Sequence, residues 1–327
     1  MQPDILITEQ ITGAAVTQLA RDFRVVANSE LWRTPDQLRT AVAGCRALIV
    51  RNQTRVTAQL IAEAPRLEII GRAGAGLDNI DVAAATAAGI VVASTPDQNS
   101  ISVAELAIGF MFALARKIAV ANHETHAGGW NRQRYTGIEL NGRTLGVVGL
   151  GRIGFLTALR ARALGMNIIA HDQFVSPDAV AVSETRASLV SLEELLQRSD
   201  FVSCHVPLTP ETRRMFGYER FAAMKRTAFF LNLARGEVVD EAGLARALQE
   251  QRIAGAALDV RETEPPGSSP LNKLENVILT PHIAAFTQEA QERVLNAVCA
   301  DVASVLRGER AKNFAQLSRP RRSMPHG

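Results

Sequence analysis

The stretch Leu145-Gly-Val-Val-Gly-Leu-Gly-Arg-Ile-Gly154 constrains this chain more than any other. Leu145 to Val148 is an apolar, β-branched run with the length of a buried strand. Gly149, Gly151 and Gly154 follow in the spacing G-x-G-x-x-G, and an apolar, helix-permitting run continues to Leu164. The first glycine of such a motif permits a tight strand-to-helix turn. The second lets a pyrophosphate approach the backbone, and the third lets helix and strand pack closely. The helix N-terminus then presents N–H groups and the positive end of its dipole to the phosphates. A second strand, Ile168 to His171, ends at Asp172. An acidic residue about 20 positions beyond the glycines can accept hydrogen bonds from an adenosine ribose. A glycine turn in an ordinary α/β domain would not need Asp172 there.

The 327 residues suffice for two domains. Hydrophobic residues make up 47% and charged residues 21%, as in a globular enzyme. A net charge of +3 is too small to argue for nucleic acid, and the basic excess sits largely between Arg307 and Arg322. That run reads as a solvated or disordered tail. Cys45, Cys204 and Cys299 are scattered and odd in number, so neither a metal site nor a disulfide framework is expected. The apolar stretch Ile101 to Ala115 carries Glu105 and is too short to span a membrane. Met1-Gln-Pro-Asp4 leads straight into Ile5-Leu-Ile7, so no signal peptide is expected and the cytoplasm is the expected location.

Apolar strand-like runs alternate with helical segments along the chain: residues 4–8, 47–50, 68–71 and 90–93, then 145–148, 168–171, 201–205, 228–233, 254–258 and 277–279. That alternation implies parallel sheets and an α/β, doubly wound fold. Val103 to Lys117 reads as a helix apolar on nearly every side, capped by Ser100 or Ser102 and buried, between domains. A polar connection, 127–141, holds Trp130, Arg132, Arg134 and Tyr135. A final amphipathic helix, 288–306, has no strand of its own and can return to the first domain.

In such sheets ligands bind beyond the carboxyl ends of the strands. Arg235, Glu264 and His282 each follow a strand end. Each alone has an ordinary explanation: a solvated charge, loop surface, a structural histidine. Together they supply an anion clamp, a carboxylate and an imidazole. An Arg can hold a carboxylate bidentately. A His can take a hydroxyl proton as hydride leaves, and a neighbouring Glu favours the imidazolium. In the first domain, Arg51-Asn52 and Arg72-Ala-Gly-Ala-Gly-Leu-Asp78 occupy strand ends; the second is either an anion-binding loop or a plain turn.

The motifs Gly71-Arg-Ala-Gly-Ala-Gly-Leu-Asp-Asn-Ile-Asp81, Gly149 to Gly154, Asn232-Leu-Ala-Arg-Gly-Glu237, Leu258-Asp-Val-Arg-Glu-Thr-Glu-Pro265 and Thr280-Pro-His-Ile-Ala284 carry a resemblance. Over essentially its whole length the chain resembles the D-isomer-specific 2-hydroxyacid dehydrogenases. The resemblance implies that Arg235, Glu264 and His282 are catalytic and that NAD is the cofactor. It implies a cofactor site of Gly149, Gly151, Arg152, Ile153, Gly154 and Asp172, with Val206 and Pro207 flanking the adenine. Leu233, Ala234, Ala284 and Ala285 would line the cofactor, and Asp259 would orient the nicotinamide carboxamide. Backbone groups of Ala73, Gly74, Ala75 and Gly76 would hold the substrate carboxylate. Arg51 and Arg72 suit a second anionic group on the substrate.

Within the family, Ala47 to Arg51 and Glu139 to Leu145 are most similar to the D-3-phosphoglycerate dehydrogenases. Asn52 and Phe286 depart from their pattern, and the chain stops near the point where longer forms continue into a regulatory domain, so serine feedback is not expected. The expected reaction is NAD-linked oxidation of a D-2-hydroxy acid, with 3-phospho-D-glycerate first among substrates. Glyoxylate, hydroxypyruvate and sulfolactate-type compounds are the alternatives, and an NADH-sensing corepressor-like protein is a remote one. The expected architecture has a substrate domain of 1–98 and 287–327 and a nucleotide domain of 99–286, with a cleft between them. The small-molecule partner would be joined by a second copy in a homodimer, with no nucleic acid and no membrane.

Overall fold

The computed structural model describes residues 3–316, which divide into two units: unit 1, residues up to Asn99 and from Thr287 onward, and unit 2, Ser100–Phe286. In unit 1 the strands are β1 (Ile5–Ile7), β2 (Val25–Ala27), β3 (Ala47–Val50), β4 (Ile69–Arg72) and β5 (Val91–Ser94). Its first helices are α1 (Ala14–Asp22), α2 (Pro35–Val42), α3 (Ala58–Ala62) and α4 (Val82–Ala87). All pairings are parallel, in the order β2-β1-β3-β4-β5. The strands β1, β3 and β5 are buried on both faces, so their sequences are continuous apolar runs rather than alternating ones.

Unit 2 opens with α5 (Ser100–Ala115) and α6 (Ile118–His126), and continues β6 (Thr144–Val148), α7 (Arg152–Ala163), β7 (Asn167–His171), α8 (Val180–Thr185), β8 (Ser188–Leu189), α9 (Leu192–Arg198) and β9 (Phe201–Cys204). It closes with α10 (Tyr218–Ala222), β10 (Phe229–Asn232), α11 (Glu241–Gln249), β11 (Gly255–Leu258) and β12 (Val277–Leu279). Its sheet is parallel throughout, in the order β12-β11-β10-β9-β6-β7-β8. The chain reverses direction of growth at β6, which lies between β7 and β9. The loop after β6 therefore sits at the topological switch point, where open α/β sheets bind ligands. Two apolar clusters cover the two faces of this sheet, one built on α5 and α7 and the other on Phe216, Phe221 and Phe230.

Helix α5 begins at Ser100, three residues before the expected start, so Ser100 and Ser102 lie inside it rather than capping it. It packs on α7, β10 and β11 of its own unit. It ends at Ala115, and Lys117, in left-handed backbone, starts a separate helix α6. The final helix α12 (Gln288–Leu306) lies in unit 1, where it covers β4 and β5 and packs on α1. Its face of Val294, Val298, Val302 and Val305 is buried, worth roughly 1.5–3 kcal/mol per fully buried side chain.

The start of the basic run is not a loose tail. The Asp301 carboxylate accepts the Lys312 N–H at 2.6 Å and the Asn313 side-chain amide at 2.8 Å. Phe314 bridges Ala93, and the Gln316 side chain bonds both Val92 and Ile90. The rest of that run, residues 317–322, lies outside the described residues.

Candidate active site

Every sequence-predicted residue of unit 2 falls at the carboxyl end of a strand. After β6, Gly149 adopts φ +92°, and a Cβ there would press on the backbone of His205 at 3.0 Å. A Cβ on Gly154 would meet the Gly149 carbonyl at 2.1 Å, so that glycine lets α7 pack against the turn. A Cβ on Gly151 would meet nothing within 4 Å, so the space above it is open. Gly151 is also the N-cap of α7 and offers no side chain to the first-turn amides of Arg152, Ile153 and Gly154. Asp172 ends β7 and braces this turn: Oδ2 accepts the Leu150 N–H at 2.8 Å and Oδ1 the Phe174 N–H at 2.9 Å. A carboxylate has about four acceptor positions, so two remain for a ribose diol.

These features fit a dinucleotide: an open glycine turn, a helix N-terminus without a competing side chain, and an acceptor-only carboxylate beside them. Past β9, the His205 ring bonds Ser203 Oγ at 2.8 Å, and its buried Nδ1 has no hydrogen-bond partner among the described residues. Burial pushes this imidazole down to about 4, so it is neutral. Val206 is half-buried and Pro207 exposed.

After β10, the Asn232 amide folds back on its own loop. Its Oδ1 accepts the Ala234 N–H at 3.0 Å and its Nδ2 donates to the Arg235 carbonyl at 2.9 Å. Arg235 Nη1 donates to the Ala234 carbonyl at 2.7 Å. Leu233 and Ala284 are buried together in the core, whereas Ala234 and Ala285 are half-buried.

After β11, Asp259 is 1% exposed. Its Oδ1 accepts the Ile283 N–H at 2.8 Å and the Thr280 hydroxyl at 2.6 Å, and its Oδ2 accepts the Ala284 N–H at 2.8 Å. Its main-chain carbonyl accepts the His282 N–H, also at 2.8 Å. One aspartate thus holds the whole loop from Thr280 to Ala284. His282 sits in that loop at φ +55°, a left-handed conformation that a non-glycine residue keeps only where its surroundings over-determine it.

The His282 ring projects onto Glu264: Nδ1 lies 2.7 Å from Oε2. Glu264 Oε1 accepts the Arg261 N–H at 3.1 Å. Burial works to raise the Glu264 carboxyl, but the hydrogen bond and charge of His282, the Arg261 N–H and the Arg235 charge outweigh it and hold it below the usual carboxylate range. So the structure joins Glu264 to His282 directly and sets Arg235 close enough to be felt as charge. With Nδ1 committed to Glu264, Nε2 is the ring atom left to meet a substrate hydroxyl.

In unit 1, Arg51 and Arg72 follow the adjacent strands β3 and β4. Arg72 Nη1 lies over its own loop and donates to the Ala73 carbonyl at 3.2 Å. The Ala73 and Gly74 N–H groups donate to Val50 and Arg72 carbonyls, each at 2.8 Å. Two of the four amides expected to hold the substrate carboxylate are thus already hydrogen-bonded within the loop. Only the Ala75 and Gly76 amides have no hydrogen bond among the described residues.

Sequence reasoning missed Glu9. It is 3% exposed, and its carboxylate accepts the N–H groups of Arg51 (2.8 Å), Asn52 (3.2 Å), Gln53 (3.0 Å) and Thr54 (3.0 Å). The Asn79 side chain ties the same loop through the Arg51 and Thr54 carbonyls. A charged residue immediately after an apolar strand was the available signal.

The three cysteines are buried, and burial pushes the thiols up, to about 12 for Cys45 and Cys204 and about 11 for Cys299, so none is a ready nucleophile. Among the described residues no group of His, Cys, Asp and Glu side chains could hold a metal ion, and no helix is long and apolar enough to cross a membrane.

Fold and glycine turn together define a dinucleotide-binding α/β protein. Residues 108–284 match the family model of the D-isomer specific 2-hydroxyacid dehydrogenase NAD binding domain. The chain is 46% identical over 313 residues to a D-3-phosphoglycerate dehydrogenase of Methanocaldococcus jannaschii, an alignment that takes in 96% of this chain and 59% of the relative. The chain therefore spans about three-fifths of that curated relative's length. Among solved structures it is similar to a Thermus thermophilus protein (34% identity, TM-score 0.88, covering 95% of this chain and 99% of the other). A glyoxylate reductase of Paecilomyes thermophila is also similar (31% identity, TM-score 0.86, covering 96% and 98%). The chain belongs to the D-isomer-specific 2-hydroxyacid dehydrogenase family and carries that family's NAD-binding domain in unit 2.

Proposed function

We propose that the chain is an NAD-dependent dehydrogenase of a D-2-hydroxy acid, interconverting 3-phospho-D-glycerate and 3-phosphohydroxypyruvate. The observation that carries the reaction class is the 2.7 Å contact between Glu264 and His282, with Arg235 beside them at strand ends of the NAD-binding unit. NAD, when bound, supplies the hydride acceptor. Gly149, Gly151, Arg152, Ile153 and Gly154 hold its phosphates, Asp172 its ribose, and Val206 and Pro207 its adenine. Leu233, Ala234, Ala284 and Ala285 line its course. Asp259 keeps His282 in place and has one acceptor position left for the carboxamide.

Arg235 clamps the substrate carboxylate and polarises the neighbouring carbon–oxygen bond. In oxidation His282 Nε2 removes the hydroxyl proton as hydride leaves the same carbon; in reduction it returns that proton to the carbonyl oxygen. Glu264, held below the usual carboxylate range, stays ionised and fixes the ring through Nδ1.

The phosphorylated substrate is favoured by the likeness to a 3-phosphoglycerate dehydrogenase and by Arg51 and Arg72 in unit 1. Together with the Ala75 and Gly76 amides they supply more anion-binding groups than one carboxylate needs. The glyoxylate reductase likeness supports a second reading, in which a short keto acid is reduced and the two half-buried arginines bind no substrate group. Loss of NADH absorbance with 3-phosphohydroxypyruvate, hydroxypyruvate, glyoxylate and sulfopyruvate tests both. The proposal expects the highest kcat/KM for 3-phosphohydroxypyruvate; a preference for glyoxylate establishes the second reading instead.

A further inference from the structure

We propose that Arg261 and Glu241 are positioning residues whose buried ion pair clasps the loop after β11 and keeps the Glu264 carboxylate on the His282 ring. This rests on the reading of Glu264 and His282 as the acid–base pair.

Arginine is almost never buried unless paired, yet Arg261 is 7% exposed. Its guanidinium grips Glu241 at the start of α11 through both prongs, Nε to Oε1 at 2.9 Å and Nη2 to Oε2 at 2.7 Å. Glu241 Oε1 also accepts the Glu262 N–H at 2.8 Å. The same carboxylate thus holds a side chain and the next backbone amide of one loop. On the other side, the Arg261 N–H is the group that donates to Glu264 Oε1. Where the Arg261 backbone sits is therefore felt at the catalytic carboxylate. The backbone has little freedom to move: a Cβ on Gly236 would come within 1.9 Å of the Arg261 carbonyl oxygen, so the loop rests directly on the residue after Arg235.

Burial works against the charge on Glu241, but the bond from Arg261 and the Glu262 N–H more than offset it, and the carboxyl is held below its ordinary value. A buried ion pair is a weak source of stability compared with apolar residues of the same size. Its geometric strength is the fixed two-pronged fork, which suits a clasp. His282 comes from the loop after β12 and Arg235 from the loop after β10. On its own loop, Glu262 is paired with Arg214 at 2.8 Å, and Asp259 holds the Thr280–Ala284 backbone.

The test compares the parent, Glu264→Gln, Arg261→Lys, the double variant Glu241→Gln/Arg261→Met, and the double variant carrying Glu264→Gln as well. The assay uses NADH and whichever of the four keto acids above is turned over fastest. The double variant leaves no buried charge unpaired, and the amide oxygen that Glu241→Gln introduces can still accept the Glu262 N–H. Its kcat should fall by on the order of 10- to 100-fold, the scale of a misplaced catalytic group, while KM for NADH holds. Arg261→Lys, which keeps the charge but loses the fork, should retain part of the rate.

Adding Glu264→Gln to the double variant should cost much less than adding it to the parent, because both changes undo one arrangement. Without cofactor or substrate, the ring ¹⁵N signals of His282 should move in the double variant as they do in Glu264→Gln, since both lose the Nδ1 contact. Additive losses, or full kcat with parent-like ring signals, overturn the clasp. If the double variant does not fold, Arg261→Lys decides the matter by the same two measurements. Should Glu264→Gln itself turn over at the parent rate, the acid–base reading fails first and the clasp with it.

Discussion

At the scale of single residues, the site is a carboxylate and an imidazole held at 2.7 Å by the backbone around them. His282→Ala should lower kcat on the order of 100-fold or more while NADH binding, followed by fluorescence titration, is unchanged, because the proposed role of the imidazole is to move the proton and not to hold the adenosine. Glu264 carries a pH consequence. Its folded carboxyl lies below its ordinary value, so the stability it contributes is fully present above the unfolded pKa, about 4.3. That contribution disappears as pH falls through the folded pKa. The gap in melting temperature between the parent and Glu264→Gln should therefore shrink as pH falls below about pH 4. A gap that widens in acid would contradict the sign.

At the scale of elements, two glycines of one turn do different work. A Cβ on Gly151 meets open space, so Gly151→Ala should fold like the parent and lose about 10-fold or more in NADH affinity, roughly 1.4 kcal/mol. Gly154→Ala drives a Cβ into the Gly149 carbonyl and should also lose stability, about 1–3 kcal/mol by urea unfolding. Equal stability in the two variants would mean that the third glycine does not set the packing of α7.

The strands of both sheets were legible because doubly buried strands write themselves as apolar runs, and the site residues followed from the rule about carboxyl ends. What was not legible has no such run. β2 and β8 are sheet-edge strands, β2 half-buried to exposed and β8 only two residues long. α6 buries no residue, so no apolar stripe marked it. The brackets behind the site, Glu9 on the Arg51 loop and Glu241 on Arg261, pair a side chain with backbone or with a residue far along the chain, which neither periodicity nor spacing records.

At the scale of the whole molecule, we propose a homodimer formed through unit 2. Trp130 is 81% exposed, and Ile101, Phe112 and Ile118 are exposed on α5 and α6. Where exposed apolar side chains join into one patch they mark an interaction surface, and Ile101 and Phe112, eleven residues apart on α5, share one helix face. Light scattering should give twice the chain mass, 35.3 kDa, and Trp130→Asp should lower it toward the monomer; an unchanged monomer mass in the parent would remove the proposal.

One steady-state comparison reports on both the reaction and its substrate. NADH-dependent reduction of 3-phosphohydroxypyruvate and of glyoxylate is measured in the parent and in Arg51→Ala. The parent should turn over both, with 3-phosphohydroxypyruvate preferred. In Arg51→Ala the KM for 3-phosphohydroxypyruvate should be about 10- to 150-fold higher, the worth of roughly 1.5–3 kcal/mol for a lost charge-assisted contact, with glyoxylate nearly unaffected. Absence of NADH oxidation with either keto acid would rule out the dehydrogenase, and equal KM changes for the two would rule out the phosphorylated substrate.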